Sequence, residues 1–202
     1  MTTVEWARQG GADLLPVDRD LFRALLRRQA ATVTVVTAVA PGHPGDPGAA
    51  PAYPGAAPPH PDASGGPVRA GFTATSFTSV SLDPPLVSFC LGTASSSWPV
   101  FARAEHVAVH LLGAHQREAA RVFATGGIDR FAAYPHWTPG PFDVPLLTGA
   151  LARLLCRVVH RVPVGDHTLF VVEPLALGGG EDGAPLVHHR GGYTTTGTPA
   201  RP

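Results

Sequence analysis

The chain of 202 residues carries 15 basic and 15 acidic side chains, and its net charge of zero argues against the clustered basic surplus needed to bind nucleic acid phosphates or an acidic membrane surface. No apolar run approaches the roughly 20 residues of a membrane span, and Met1 to Arg8 lacks the basic-then-apolar order of a signal peptide. The expectation is a soluble, cytoplasmic protein, with neither nucleic acid nor membrane as a partner.

Residues 1–17 read as a flexible leader. Asp18 is placed to cap a helix on which Leu21, Phe22, Leu25 and Leu26 recur at helical spacing, predicting one packed amphipathic helix. Residues 31–39 (ATVTVVTAV) are rich in β-branched side chains and predict a strand. Residues 41–67 then hold 9 Pro and 6 Gly in 27 positions, with no aliphatic side chain larger than Ala. Such a stretch buries too little apolar area to offset its ordering entropy, so it predicts a mobile loop. Because it lies between strand-like runs at 31–39 and 68–73, it reads as an enlarged hairpin connection inside one domain spanning 18–193.

Beyond the insert, strands are expected at 86–91, 106–112, 151–162 and 168–177, and a closing strand at 186–193. Short helices are expected at 97–103 and 116–124, a turn at 163–167, and a flexible tail at 194–202. Strands outnumber helices and most connections are short. The fold class is therefore mainly β with short peripheral helices, a closed or nearly closed antiparallel barrel. Cys90 and Cys156 both sit in apolar stretches and predict buried free thiols; two isolated cysteines make no zinc site, and no metal is expected.

The stretch from 69 to 99, RAGFTATSFTSVSLDPPLVSFCLGTASSSWP, holds the chemistry. Thr73, Thr75, Ser76, Thr78, Ser79 and Ser81 cluster beside the small residues Gly71 and Ala74. Short hydroxyl side chains and accessible backbone N–H groups suit a flat heteroaromatic ligand, although a plain Ser/Thr-rich strand and turn has the same composition. Pro84 and Pro85 fix the start of the next strand. After that strand, Ser95, Ser96 and Ser97 precede Trp98-Pro99, a helix start whose exposed N–H groups form either a phosphate cradle or an ordinary cap.

GFTATSFTSVSLDPPLVSFCL resembles the signature of the flavin reductase-like family with the FMN-binding split β-barrel fold of Greek-key type. The likeness continues in order through Ser-Ser-Trp after the strand, HVAVHLL, HQREAARVFA, Asp129-Arg130-Phe131, PLLTGALARLLCRV, Gly165-Asp166-His167 and PLVHHRGGY. It implies an NAD(P)H-dependent reductase of FMN or FAD that supplies a separate flavin-dependent monooxygenase, working as a homodimer. A flavin carrier or redox sensor without reductase activity is the alternative on the same fold. A split-barrel enzyme of pyridoxal phosphate precursors fits less well, because that group lacks the SLDPPLV series.

Residue roles follow from the same resemblance. The backbone of Arg69, Ala70, Gly71, Phe72 and Thr73 would line the flavin, with Thr75 and Ser76 at the isoalloxazine edge. Cys90, Leu91 and Gly92 would run past the ring and ribityl chain, while Ser96 and Ser97 would hold the phosphate. Arg130 and Phe131 match a basic residue and a Phe beside the flavin. With no lysine in the chain, a cation facing that phosphate is an arginine (Arg69, Arg103 or Arg130) or a protonated histidine. His167 would position the nicotinamide, with Tyr193 and the His188-His189 pair near it, and Asp166 would orient His167 or end the turn. The sequence departs from the family pattern at Thr75, where an Asn is common, at Ser96, where a longer polar side chain is common, and at Val172 and Pro174.

Overall fold

The computed structural model describes residues 17–42, 67–180 and 182–196. The flexible leader, the mobile insert and the flexible tail expected from the sequence lie largely outside these residues. Asp18 caps α1 (Arg19–Leu26): its carboxylate accepts from the N–H of Asp20 at 2.9 Å and of Leu21 at 3.0 Å. The packing expected of this helix is not formed. Phe22, Leu25 and Leu26 stay about half exposed and no residue of α1 is buried. Its C-terminal end is held through the backbone, where the Arg190 N–H donates to the Arg27 carbonyl at 2.9 Å.

The single strand expected at 31–39 is divided at Val33 into β1 (Ala31–Thr32) and β2 (Thr34–Ala40). Val33 donates to Leu186 at 2.9 Å and accepts from Leu112 at 3.1 Å, so the chain passes there from one sheet to another. β2 pairs antiparallel with β3 (Val68–Ala74), Ala40 opposite Val68, so residues 41–67 do connect the two strands of a hairpin. The Ser/Thr-rich segment forms β4 (Thr78–Leu82), antiparallel to β5 (Pro85–Gly92). After α2 (Trp98–Phe101) come β6 (His106–Leu111), a 3₁₀ turn, and α3 (Arg117–Ala124). Two features with no expectation behind them follow: α4 (Arg130–Ala133) and the small hairpin of β7 (Trp137–Pro139) and β8 (Pro145–Leu147).

β9 (Ala152–Val164) and β10 (His167–Gly179) form the long hairpin, turning at Gly165-Asp166. The closing strand is itself a hairpin, β11 (Leu186–His189) and β12 (Gly192–Thr195), so ordered structure runs two residues past the boundary expected at 193. Its two-residue turn needs positive φ at both positions; Arg190 adopts 51° and Gly191 82°.

The main sheet runs β3-β2-β6-β9-β10-β5-β4 with every neighbour antiparallel, and β1, β11 and β12 make a separate sheet. β3 and β4 remain edges, so the barrel is split rather than closed by hydrogen bonds. Inside it Phe72, Phe89, Phe101 and Phe170 pack together, Phe89 stacked on Phe170 at 5.1 Å and Phe72 edge-on to Phe101 at 5.1 Å. On the other face of β2, Val33 and Val35 join Leu112, Ala119, Ala120, Phe123 and Leu147 in a second core. Burial on both faces explains the unbroken apolar and β-branched run of β2, which an exposed strand would replace by alternation. Cys156 is buried as expected, and burial pushes its thiol up to about 12; Cys90 is free but only half buried, because it lies on the face of β5 away from the aromatic core.

Candidate functional site

β3 is an edge strand whose far side carries no ladder, and the site begins there. Gly71 is required by close approach: a Cβ would stand 2.6 Å from the Phe123 ring, so this glycine seats α3 against the sheet. Thr73 strengthens the same contact by donating its hydroxyl to the Ala120 carbonyl at 2.8 Å. Ala70 and Phe72 point into the aromatic core, which leaves only their backbone for a ligand. The exposed Arg69 lies over the Trp137 ring, 5.4 Å from its centroid.

Ser97 occupies the helix start of α2, yet it does not cap it. Its φ and ψ are already helical and its side chain makes no cap hydrogen bond. The buried hydroxyl instead donates to the Gly71 carbonyl at 3.0 Å and accepts from Arg130 Nη1 at 3.1 Å. Arg130 Nη2 donates to the Ser96 hydroxyl at 3.0 Å, and Nε to the Thr125 carbonyl at 2.9 Å. Asp129 sets this geometry by capping α4 through the N–H groups of Phe131 and Ala132, both at 3.0 Å. Phe131 packs edge-on between Phe123 and Trp137. Burial lowers the pKa of the Arg130 guanidinium, and among the described residues no carboxylate is paired with it. The adjacent Ser96 and Ser97 and the distant Arg130 thus form one polar cluster beside β3. A half-buried guanidinium held against two hydroxyls fits a phosphate group, whose oxygens take forked donors.

The second wall is β5. Its Cys90 N–H donates to the Ser76 hydroxyl at 2.9 Å, tying the exposed Thr75-Ser76 corner to the strand. Leu91 is buried in the aromatic core, so its backbone alone faces outward. Gly92 lies opposite His167 in the β5–β10 ladder, and a Cβ there would meet the imidazole Nε2 at 3.6 Å. His167 is therefore beside the strand end expected to pass a flavin. Its Nδ1 lies 2.7 Å from the Asp166 carboxylate, which fixes the ring through one nitrogen and leaves Nε2 toward Gly92. The hydrogen bond from His167, then its charge, and to a smaller extent Arg19, hold the Asp166 carboxyl below its usual value. Asp166 also has its backbone in use, since its carbonyl accepts from the Thr93 N–H at 3.0 Å and hydroxyl at 3.1 Å.

The Tyr193 hydroxyl donates to the Ala120 carbonyl at 3.4 Å and its ring edges His188 at 5.7 Å. Arg103 donates through Nε to the Pro99 carbonyl of α2 at 3.2 Å. Of the three candidate arginines, Arg130 is the one the fold places at the serine cluster. Val172 is buried in the core, and Pro174 stands at a bulge of β10 where the ladder register shifts, so both departures from the family pattern are accommodated within the barrel.

Residues 26–197 match the family described as flavin reductase like domain. The NADH:FMN oxidoreductase of Rhodococcus qingshengii is 39% identical over 176 residues, covering 85% of this chain and 79% of that protein. The reductase subunit of a flavin-dependent monooxygenase from Rhodococcus jostii is 29% identical over 178 residues, covering 88% and 78%. Among solved structures, the NADH:FAD oxidoreductase of Streptomyces globisporus in complex with NAD and FAD fragments superposes with a TM-score of 0.74 at 29% identity, covering 94% of this chain and 100% of that one.

Proposed function

The chain belongs to the flavin reductase-like domain family, and on that premise we propose that it is an NAD(P)H:flavin oxidoreductase, carrying hydride from a nicotinamide to FMN or FAD and supplying reduced flavin to a separate monooxygenase. The observation that carries the reading is the Arg130 guanidinium forked onto Ser96 and Ser97, a phosphate-shaped cation at the open edge of β3. The flavin, when bound, supplies the redox chemistry as hydride acceptor.

What remains for the protein is placement. Arg130 and Ser96 would hold the flavin phosphate, with the buried Ser97 positioning the guanidinium. Backbone groups of 69–73 on the free edge of β3 and of Cys90 to Gly92 on β5 would flank the rest of the ligand, with Thr75 and Ser76 at its polar edge and Phe131 beside it. Preorganised N–H donors aimed at a developing negative charge cost no reorganisation during the hydride step. His167, oriented by Asp166, would press the nicotinamide into line, and proximity of this kind is the main rate gain available to a site whose chemistry belongs to the two nucleotides. No side chain has to move a proton in that step.

The proposal extends to a cytoplasmic homodimer. Exposed apolar side chains occur on the edge strand β4 (Val80, Leu82) and on β9 and β10 (Val162, Val164, Leu175 and Leu177). A second copy covering them would protect an unpaired sheet edge. A sedimentation run that finds only a 21.0 kDa species at assay concentrations overturns the dimer. For the activity, NADH and NADPH absorbance is followed with and without added FMN or FAD. Flavin-dependent oxidation is expected with at least one nicotinamide, and its absence with both refutes the reading.

A further inference from the structure

α1 leaves a cavity of about 570 Å³ between itself and the strand ends that carry Thr75, Ser76 and Asp166. The volume falls within the roughly 300–1,000 Å³ typical of ligand pockets. Its α1 wall has two parallel stripes. Arg19, Arg23 and Arg27 recur every four residues on one, while Phe22 and Leu26 form the other. Residues spaced by three or four lie on one helix face, so all five face the cavity together. This accounts for a helix whose apolar residues are half exposed: the face is turned to a void rather than to a core. Among the described lining residues Asp166 is the one carboxylate, already bonded to His167, so the cavity is rich in cationic donors.

The cavity is continuous with the catalytic corner. Thr75 and Ser76 line it on one side and His188 on another, and Asp166 links it directly to His167. The position of α1 is fixed at this end by the Arg190 to Arg27 backbone bond and by β1, which pairs with β11 at His188. A ligand whose reacting ring lies at His167 would therefore extend along α1. It would meet guanidinium groups and an apolar stripe alternately. A dinucleotide has that chemistry, with flat bases and a dianionic pyrophosphate between them.

Resting on the reductase reading, we propose that the Arg19, Arg23 and Arg27 stripe of α1 binds the pyrophosphate of the nicotinamide dinucleotide, with Phe22 and Leu26 supporting its adenosine part. The flavin phosphate and the nicotinamide pyrophosphate then have separate arginine sites, Arg130 for the first and α1 for the second. Separate sites keep the two nucleotides from competing for one cation.

The test is the double variant Arg23→Gln, Arg27→Gln, which removes both charges and keeps helix propensity. It is assayed with FMN as acceptor, because FMN has no pyrophosphate. The expected result is a rise of about 10-fold in KM for NADH, with kcat and KM for FMN within about 2-fold of wild type. With reduced nicotinamide mononucleotide as donor, which lacks the pyrophosphate bridge, the difference between variant and wild type should shrink to about 2-fold or less. Being exposed, the stripe should also make the wild-type KM for NADH rise with salt, and the variant should lose most of that dependence. An unchanged KM for NADH overturns the proposal. So does a KM that rises for FAD and not for NADH, which assigns the stripe to the adenylate part of the flavin. Wild-type protein that oxidises neither NADH nor NADPH sinks the reductase reading itself, a result visible before any variant is made.

Discussion

His110 offers the sharpest quantitative prediction, because its surroundings leave it one protonation state. It is fully buried in β6, its Nδ1 is 3.0 Å from the Val35 carbonyl, and its Nε2 accepts from the Leu147 N–H at 3.0 Å. A ring that donates through Nδ1 and accepts through Nε2 is neutral. Burial lowers its pKa from 6.5 to about 4, against the bond to Val35 and with help from the charge of Arg153. The unfolded chain binds the proton near 6.5 and the folded chain only near 4, so the folded state is favoured above 6.5 and loses that advantage as pH falls toward 4. Between pH 7 and pH 4 the loss works out at about 3 kcal/mol. Urea unfolding of wild type and His110→Gln at both pH values isolates this group, since the other titrating residues are common to both proteins. At pH 7 the variant should be less stable by about 2 kcal/mol, because the amide donor and acceptor of Gln do not stand where the two ring nitrogens do, and one of the Val35 and Leu147 backbone groups is left unpaired. At pH 4 the order should reverse, the variant being the more stable by about 1 kcal/mol. A gap that stays constant to within about 0.5 kcal/mol across this range would refute a neutral, buried His110.

Arg130→Gln should raise KM for FMN by about 10 to 100-fold while leaving KM for NADH nearly unchanged, and Arg130→Lys should recover little of it because an ammonium cannot fork onto Ser96 and Ser97 together; equal effects on both substrates in steady-state assays would count against a flavin phosphate site. Gly71→Ala drives a methyl to 2.6 Å from the Phe123 ring and 3.2 Å from the Val36 carbonyl, so denaturant unfolding should show a loss of about 1–3 kcal/mol. Treatment with iodoacetamide at pH 8 should label Cys90 and spare the buried Cys156, whose thiol stands at about 12; mass spectrometry finding the adduct on Cys156 first would contradict the burial of β9.

Where the sequence was legible, the signal was local. The cap at Asp18, the β-branched run of β2, the proline-started β5 and the Gly-Asp turn before His167 each state their own geometry within a few residues. The proline and glycine excess likewise marked the connection between β2 and β3. What escaped is set by contacts far apart in the chain. β4 is exposed and Ser/Thr-rich, with no apolar alternation to announce it. The hairpin of β7 and β8 consists of two three-residue strands, too short to show a period, and it is set by their pairing with each other. Ser97 looked like a helix cap because Ser before Trp-Pro usually is one, yet Gly71 and Arg130 draw its hydroxyl to the sheet. The arginine spacing on α1 was readable throughout; attention to its apolar stripe alone suggested a helix packed on a core.

The two cationic regions differ in a way that bears on turnover. Arg130 is partly buried and held at Nε by Thr125 and at Nη1 and Nη2 by two serine hydroxyls, so its guanidinium is oriented before any ligand arrives. The α1 arginines are exposed and free to rotate, and ordering them on a ligand costs side-chain entropy. Under the proposed assignments, the first arrangement would favour a fixed register for the flavin against Gly92 and His167, and the second fast, salt-sensitive exchange of the hydride donor. Thr75 and Ser76 between them are exposed, so neither nucleotide is enclosed by the described residues. A protein that accepts one nucleotide, reduces another and lets both go would be served by grip at one phosphate and openness elsewhere, and under the proposed assignments burial is distributed in that way, Arg130 partly buried and the α1 arginines exposed.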